Sequence, residues 1–215
     1  MKNINQGAGA AAFIGQILAY PFLIALSLQI TWHFQIIALL LMGICLAAAM
    51  VVKRYPLVLI IAAITGIIGA INQWILLPLV AVQLLLTFLL RTQKVTKQWA
   101  GTIAFGQAIL FQILLIYAGL HFLSQDMLLD LALLYVPALI GLWANHFPKW
   151  TDMVLLAITV VIGYWLQRLN LIAIGGIIIL VTLINSRRPF KVPSYLYQFS
   201  PVIATLLLYL ARMHG

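Results

Sequence analysis

The sequence predicts an all-α, polytopic integral membrane protein of about nine transmembrane segments, and three observations predict it. Of its 215 residues, 65% are hydrophobic and only 7% are charged, whereas a soluble globular domain carries about 25% charged and 45 to 50% apolar residues. Apolar runs approaching the length of about 20 residues that carries a helix across about 30 Å of hydrocarbon recur along the whole chain. Between these runs the basic residues fall so that alternate connections are strongly positive. Residues 1–215 are read as a single transmembrane domain.

The first run, about 9 to 30, has only Lys2 before it and no small-x-small pattern just after its apolar core. It is read as a retained helix rather than a cleaved signal peptide. The second covers 34 to 52. Runs at 56 to 72 and 75 to 90 form a tight pair joined only by Asn72-Gln73-Trp74, and after single runs at 99 to 121 and 127 to 145 a second tight pair follows. Its members, 152 to 167 and 170 to 186, are joined by Gln167-Arg168-Leu169-Asn170, and the ninth run covers 194 to 213. Helices this short either thin the bilayer around them or form re-entrant hairpins packed inside protein, where irregular backbone can be satisfied.

The charges set the orientation, because cytoplasmic connections accumulate Lys and Arg. With the N-terminus inside and the C-terminus outside, Lys2, Lys53, Arg54, Arg91, Lys94, Lys97, Lys149, Arg187, Arg188 and Lys191 share the inner side, ten of the twelve basic residues. Only Arg168 and Arg212 fall outside. Adding or dropping one segment would scatter these clusters, so the alternation tests the segment count as well. Trp32, Trp74 and Trp165 then sit at outer ends and Trp99, Trp143 and Trp150 at inner ends, where amphipathic rings prefer to lie. The pattern fits a multi-pass protein of the plasma (inner) membrane.

Compared with itself, the chain shows a second copy of its first four segments. Gly15-Gln16 recurs as Gly106-Gln107 and His33-Phe34 as His121-Phe122, while Ala63-Ile64-Thr65, Ile68-Gly69 and Gln73 recur without a gap as Ala157-Ile158-Thr159, Ile162-Gly163 and Gln167. Thr87 is matched by Thr182. Four crossings return each copy to the same side, so the expectation is a parallel 4+4 repeat, 9–92 and 99–188, with an extra terminal helix at 194–213.

Composition narrows the chemistry. The chain has 12 Lys and Arg, a net charge of +9, three acidic residues (Asp126, Asp130 and Asp152) and no glutamate. Paired-carboxylate mechanisms that use Glu and HExxH zinc proteolysis therefore lack their essential residue. A single cysteine, Cys45, makes neither an internal disulfide nor a thiolate metal cluster. G-x-S-x-G and G-x-x-x-x-G-K-[ST] signatures are absent from the sequence. No cofactor, no metal and no nucleic acid is expected, since the positive charge marks membrane sidedness rather than a soluble basic face.

What remains are uncharged polar residues inside the runs. The repeat pairs Gln16 with Gln107, Thr65 with Thr159, Gln73 with Gln167 and Thr87 with Thr182, and these are the candidates for a binding site or pathway. Each is weighed against simple interhelical adhesion, worth about 0.6 to 2 kcal/mol per hydrogen bond. Gln83, Gln112 and Gln198 lack a partner in the other half and rank lower. Asp130, the one carboxylate that enters a span, is a proton-coupling candidate or part of a helix start capped by Ser124 or Asp126; Arg168 is its candidate partner. His33 and His121 are repeat-related but lack a third ligand. Arg91, Lys94, Lys97, Arg187, Arg188 and Lys191 are placed to contact anionic lipid headgroups, at about 1 kcal/mol each.

These positions favour a small transporter or a lipid- or amphipath-translocating protein with an uncharged polar path between two repeats. The alternative is a non-catalytic subunit or interaction protein of a larger membrane complex, meeting a membrane-protein partner or a second copy of itself within the bilayer. A third reading, a membrane-embedded enzyme acting on lipid, rests on Asp130 and the histidines.

Overall fold

The structure is a computed structural model that describes residues 2–28, 33–93, 95–143, 149–166, 174–176, 178 and 194–213. The described residues are helical and contain no strand. They form α1 (Lys2–Leu28), α2 (Phe34–Val51), α3 (Tyr55–Gly69), a short 3-10 turn (Trp74–Leu76), α4 (Leu77–Thr92), α5 (Lys97–Leu120), α6 (Gln125–Trp143), α7 (Lys149–Trp165) and α8 (Ser194–Met213). Each of these helices falls on one of the apolar runs. The run at 170 to 186 lies mostly outside the described residues, as do Gln167, Arg168, Thr182, Arg187, Arg188, Lys191 and Lys94.

Among the described residues, five spans are long and apolar enough to cross a membrane: Gly7–Ala25, Phe34–Val51, Trp74–Thr92, Gln98–Leu120 and Gln125–Trp143. The helices of the remaining described runs are shorter in their apolar part: Tyr55–Gly69, Met153–Trp165 and Phe199–Leu210. Large side chains stand exposed along α3 (Leu57, Ile60, Ile61, Ile64, Ile67) and α7 (Met153, Val154, Val161, Ile162). Soluble monomers rarely expose continuous apolar faces of this kind. Lipid-facing helices do. The described tryptophans Trp74, Trp99, Trp143, Trp150 and Trp165 all lie within three residues of a helical end.

The chain divides into two compact units, Met1–Leu123 and Ser124–Gly215. In the first, α2 packs against α1, α3, α4 and α5, and α5 packs against α1, α2 and α4. The division falls after α5, which belongs to the same compact unit as α1 to α4. Glycines set the closest approaches. A Cβ on Gly66 would come within 2.6 Å of Val80 and 2.8 Å of Met42, and one on Gly69 within 2.6 Å of Leu39. The Gly66-x-x-Gly69 face thus lets α3 lie directly on α2. On the other side of α2, Gly43 accommodates Ile17 of α1 and Phe111 of α5.

Two polar contacts fix how far the α3–α4 hairpin reaches. At one end the Arg91 guanidinium donates to the carbonyls of Met50 (3.2 Å) and Val52 (2.7 Å) and lies 5.2 Å from the centre of the Tyr55 ring. Those carbonyls close α2, where a cation complements both the unpaired acceptors and the helix dipole. At the other end Gln73, in the turn after α3, reaches Ala118 and His121 at the C-terminus of α5. The hairpin therefore extends from the end of α2 to the end of α5 rather than turning back part-way. Its turn uses Asn72 at φ 70°, a left-handed position that Asn tolerates well, and Pro78 falls in the first turn of α4, where no backbone N–H is needed. Pro78 is thus a helix starter, whereas Pro21, Pro137 and Pro201 lie inside helices.

Replacing Arg91 with leucine is expected to cost about 1 to 3 kcal/mol, the worth of hydrogen bonds from a charged donor. Arg91→Lys should recover only part of it, because a compact ammonium lacks the planar fork that reaches both carbonyls and the flat face that lies over Tyr55. Thermal denaturation in detergent measures both.

In the second unit α6 packs against α7 and α8. Ser124 Oγ accepts from the Met127 N–H at 3.2 Å and so caps α6, while Asp126 occupies its first turn. Leu131, Leu134 and Tyr135 of α6 and Leu208 of α8 are buried.

Candidate functional site

The polar residues of the first unit gather on α5. Facing α4, Gln107 is fully buried together with Gln83 and Thr87, each at 0% exposure. Gln83 and Thr87 are four residues apart and so share one face of α4. The Gln83 amide donates to the Gln107 backbone carbonyl at 2.9 Å; the Gln107 amide donates to Thr87 Oγ1 at 2.6 Å and points back to the Gln83 carbonyl at 3.4 Å. Thr87 Oγ1 in turn donates to the Gln83 carbonyl at 2.9 Å. Each glutamine thus clasps the backbone of the helix opposite.

The clasp fixes which way both amides point. Each NH2 group faces a backbone carbonyl, which only accepts, so turning either amide over would set oxygen against oxygen. Both amide oxygens, Gln83 Oε1 and Gln107 Oε1, are consequently buried acceptors without a hydrogen-bond donor. An unmet buried acceptor costs about 1 to 3 kcal/mol. Among the described residues, no Lys, Arg, Asp, Glu or His side chain bonds to this cluster.

A second polar contact lies on another side of α5. The Gln112 amide donates to the backbone carbonyl of Gln16 on α1, and both side chains are buried. This contact is one residue before Ile17, whose carbonyl loses its usual helical donor because residue 21 is proline.

Other sequence candidates are placed differently. Thr65 donates to the carbonyls of Ile61 and Ala62, and Thr159 to that of Leu155, so both are bonded within their own helices. Gln73 stands at the end of the bundle, apart from the Gln83–Thr87–Gln107 clasp, in the contact with Ala118 and His121. Asp130 is buried in α6, at 2% exposure, beside Leu131. Arg91 is engaged by α2 and Tyr55, and the side chains of Lys97 and Gln198 lie outside the described residues. Among the described residues, no three His, Cys, Asp or Glu side chains come together.

Gln107 and Thr87 are thus the two sequence candidates that touch. Gln83, ranked low for want of a counterpart in the other copy, joins them, and Gln112 proves to bond Gln16. The available signal was spacing: Gln83 and Thr87 sit at i and i+4 in an otherwise apolar run.

Comparison of the chain with protein-family models, with curated proteins and with solved structures yields no match. The functional reading therefore rests on the side chains themselves.

Proposed function

We propose that the chain is a multi-pass protein of the plasma membrane that translocates a neutral or weakly polar amphipathic molecule. It crosses the bilayer about nine times, N-in and C-out, and is built from two parallel repeats of four segments with an added terminal helix. The observation that carries the proposal is the Gln83–Thr87–Gln107 clasp, with its two donor-seeking amide oxygens buried in an apolar bundle. It lies where the last helix of the first copy meets the first helix of the second, the kind of junction at which repeat-built transporters hold their sites.

The chemistry favours a neutral cargo. A cation taken from water into an apolar interior needs an acidic counter-charge, and every acidic residue of the chain lies beyond residue 123. The clasp itself offers two amides and a hydroxyl, with no basic group to meet an anion. Two amide oxygens instead suit hydroxyl or amide N–H donors. Anionic lipid headgroups around the inner basic residues would be its standing neighbours.

The test uses phosphatidylcholine vesicles holding the purified chain and a fluorescent neutral glycolipid, with a membrane-impermeant quencher added outside. Accelerated transbilayer movement of the glycolipid, with much slower movement of a phosphatidylserine carrying the same fluorophore, is the expected result. Movement no faster than in protein-free vesicles would sink the proposal. If a stoichiometric membrane protein co-purifies in mild detergent instead, the subunit reading takes its place.

A further inference from the structure

We infer that Gln73 and His121 form an acid-released latch holding the α3–α4 turn against the C-terminal end of α5. The geometry is specific. Gln73 Nε2 lies 3.3 Å from the Ala118 carbonyl and 2.7 Å from His121 Nδ1. Ala118 is among the last four residues of α5, whose carbonyls have no helical donor of their own. Because that carbonyl only accepts, Nε2 must be the donor, and its second hydrogen is left for the imidazole. His121 Nδ1 must therefore offer a lone pair, and the ring proton sits on Nε2.

An imidazolium cannot take part. A proton taken from solvent onto Nδ1 sets N–H against N–H at 2.7 Å. Turning the amide over would let Gln73 Oε1 accept from Nδ1–H, but would aim that oxygen at the Ala118 carbonyl and leave the NH2 group where Oε1 now lies buried without a partner. Either outcome breaks the bond to Ala118. His121 is exposed, so the proton has access.

The local backbone makes the contact consequential. His121 itself closes α5 in a left-handed conformation at φ 61°, and Gln73 follows Asn72, which turns the chain at φ 70° beyond the end of α3. The turn offers no other titratable group. Tyr117 precedes His121 by one turn on α5, which begins at Lys97; α1 carries Lys2 and Tyr20, α2 carries Cys45 with His33 just before it, α3 begins at Tyr55, and Arg91 of α4 is held at the opposite end of the hairpin. Asp126, exposed in the first turn of α6, is the nearest carboxylate in sequence. Residues 1–123 contain no acid to hold an imidazolium in place.

Hydrogen exchange read by mass spectrometry on the full chain in detergent tests the latch, with rates corrected for the intrinsic effect of pH. From pH 8 to pH 5.5, a range across which imidazoles titrate, exchange in the peptides covering 70–77 and 117–122 should rise about tenfold. His121→Asn, which keeps a left-handed-tolerant residue and removes the imidazole, should abolish the response. His33→Asn and Asp126→Asn should leave it intact. Should His121→Asn fail to fold, Gln73→Met gives the same answer by showing fast exchange at both pH values. Histidine-selective 15N spectra at pH 8 should show Nδ1 of His121 without a proton. Slow exchange of the parent chain at both pH values, or an acid response that survives His121→Asn, overturns the inference.

Discussion

A chain in which Gln83 and Gln107 are both replaced by methionine should be at least as stable as the parent and, under the translocation proposed above, should move no glycolipid. Methionine keeps the unbranched shape of glutamine and fills irregular space. The double change removes three side-chain hydrogen bonds to α4 and α5, worth about 0.6 kcal/mol each by measurements in membrane helices. It also removes two buried acceptors that have no donor, each costing about 1 to 3 kcal/mol. Thr87 keeps its bond to the Gln83 carbonyl. The balance is therefore neutral or stabilising, while the groups that would meet the cargo are gone. Simple adhesion predicts the reverse: a lower melting temperature and unchanged transport. Thermal denaturation and the glycolipid assay on the same preparation separate the two.

Gly69→Ala should be among the most damaging single-methyl additions in the first unit, costing about 1 to 3 kcal/mol as overpacking. Its new Cβ would lie 2.6 Å from the Leu39 side chain and 3.1 Å from the Gln35 carbonyl, which is backbone and cannot step aside. Gly69→Leu should leave little folded protein to purify. Gly106→Ala provides the opposite case in α5, because nothing lies within 4 Å of its added carbon. Removing a helix-interior glycine there should stabilise by about 0.5 to 1 kcal/mol. Fluorescence-detected gel filtration after a temperature series ranks all three against the parent.

Apolar runs and charge gaps were enough to place each described helix within a few residues, except that α1 starts at Lys2 rather than near residue 9. Burial in these helices is dictated by composition over many residues, and composition is visible in a sequence. The reach of the α3–α4 hairpin was not, since local thinning and a re-entrant turn demand the same short apolar stretches. Two tertiary contacts show where its ends sit, Arg91 at the end of α2 and Gln73 at the end of α5. Arg91 read only as a marker of sidedness, because nothing local says that its guanidinium will close another helix. The clasp was half legible. Gln107 and Thr87 stood out as polar residues inside apolar runs that the expected repeat paired with others, whereas Gln83 mattered only once α4 and α5 were side by side.

The hairpin pinned at both ends also constrains how the protein is made. The carbonyls that close α2 wait for Arg91, which emerges from the ribosome about forty residues after Met50, and the turn waits for α5 to be complete before Gln73 finds Ala118. At 15 residues α3 holds too few apolar residues to partition into the bilayer securely on its own, whereas Trp74–Thr92 is long and apolar enough to cross. They are best released from the insertion machinery as a pair. Biogenesis of the first unit would then be a single late event, triggered by the synthesis of α5, and a chain truncated before residue 97 should remain with the translocation machinery rather than fold.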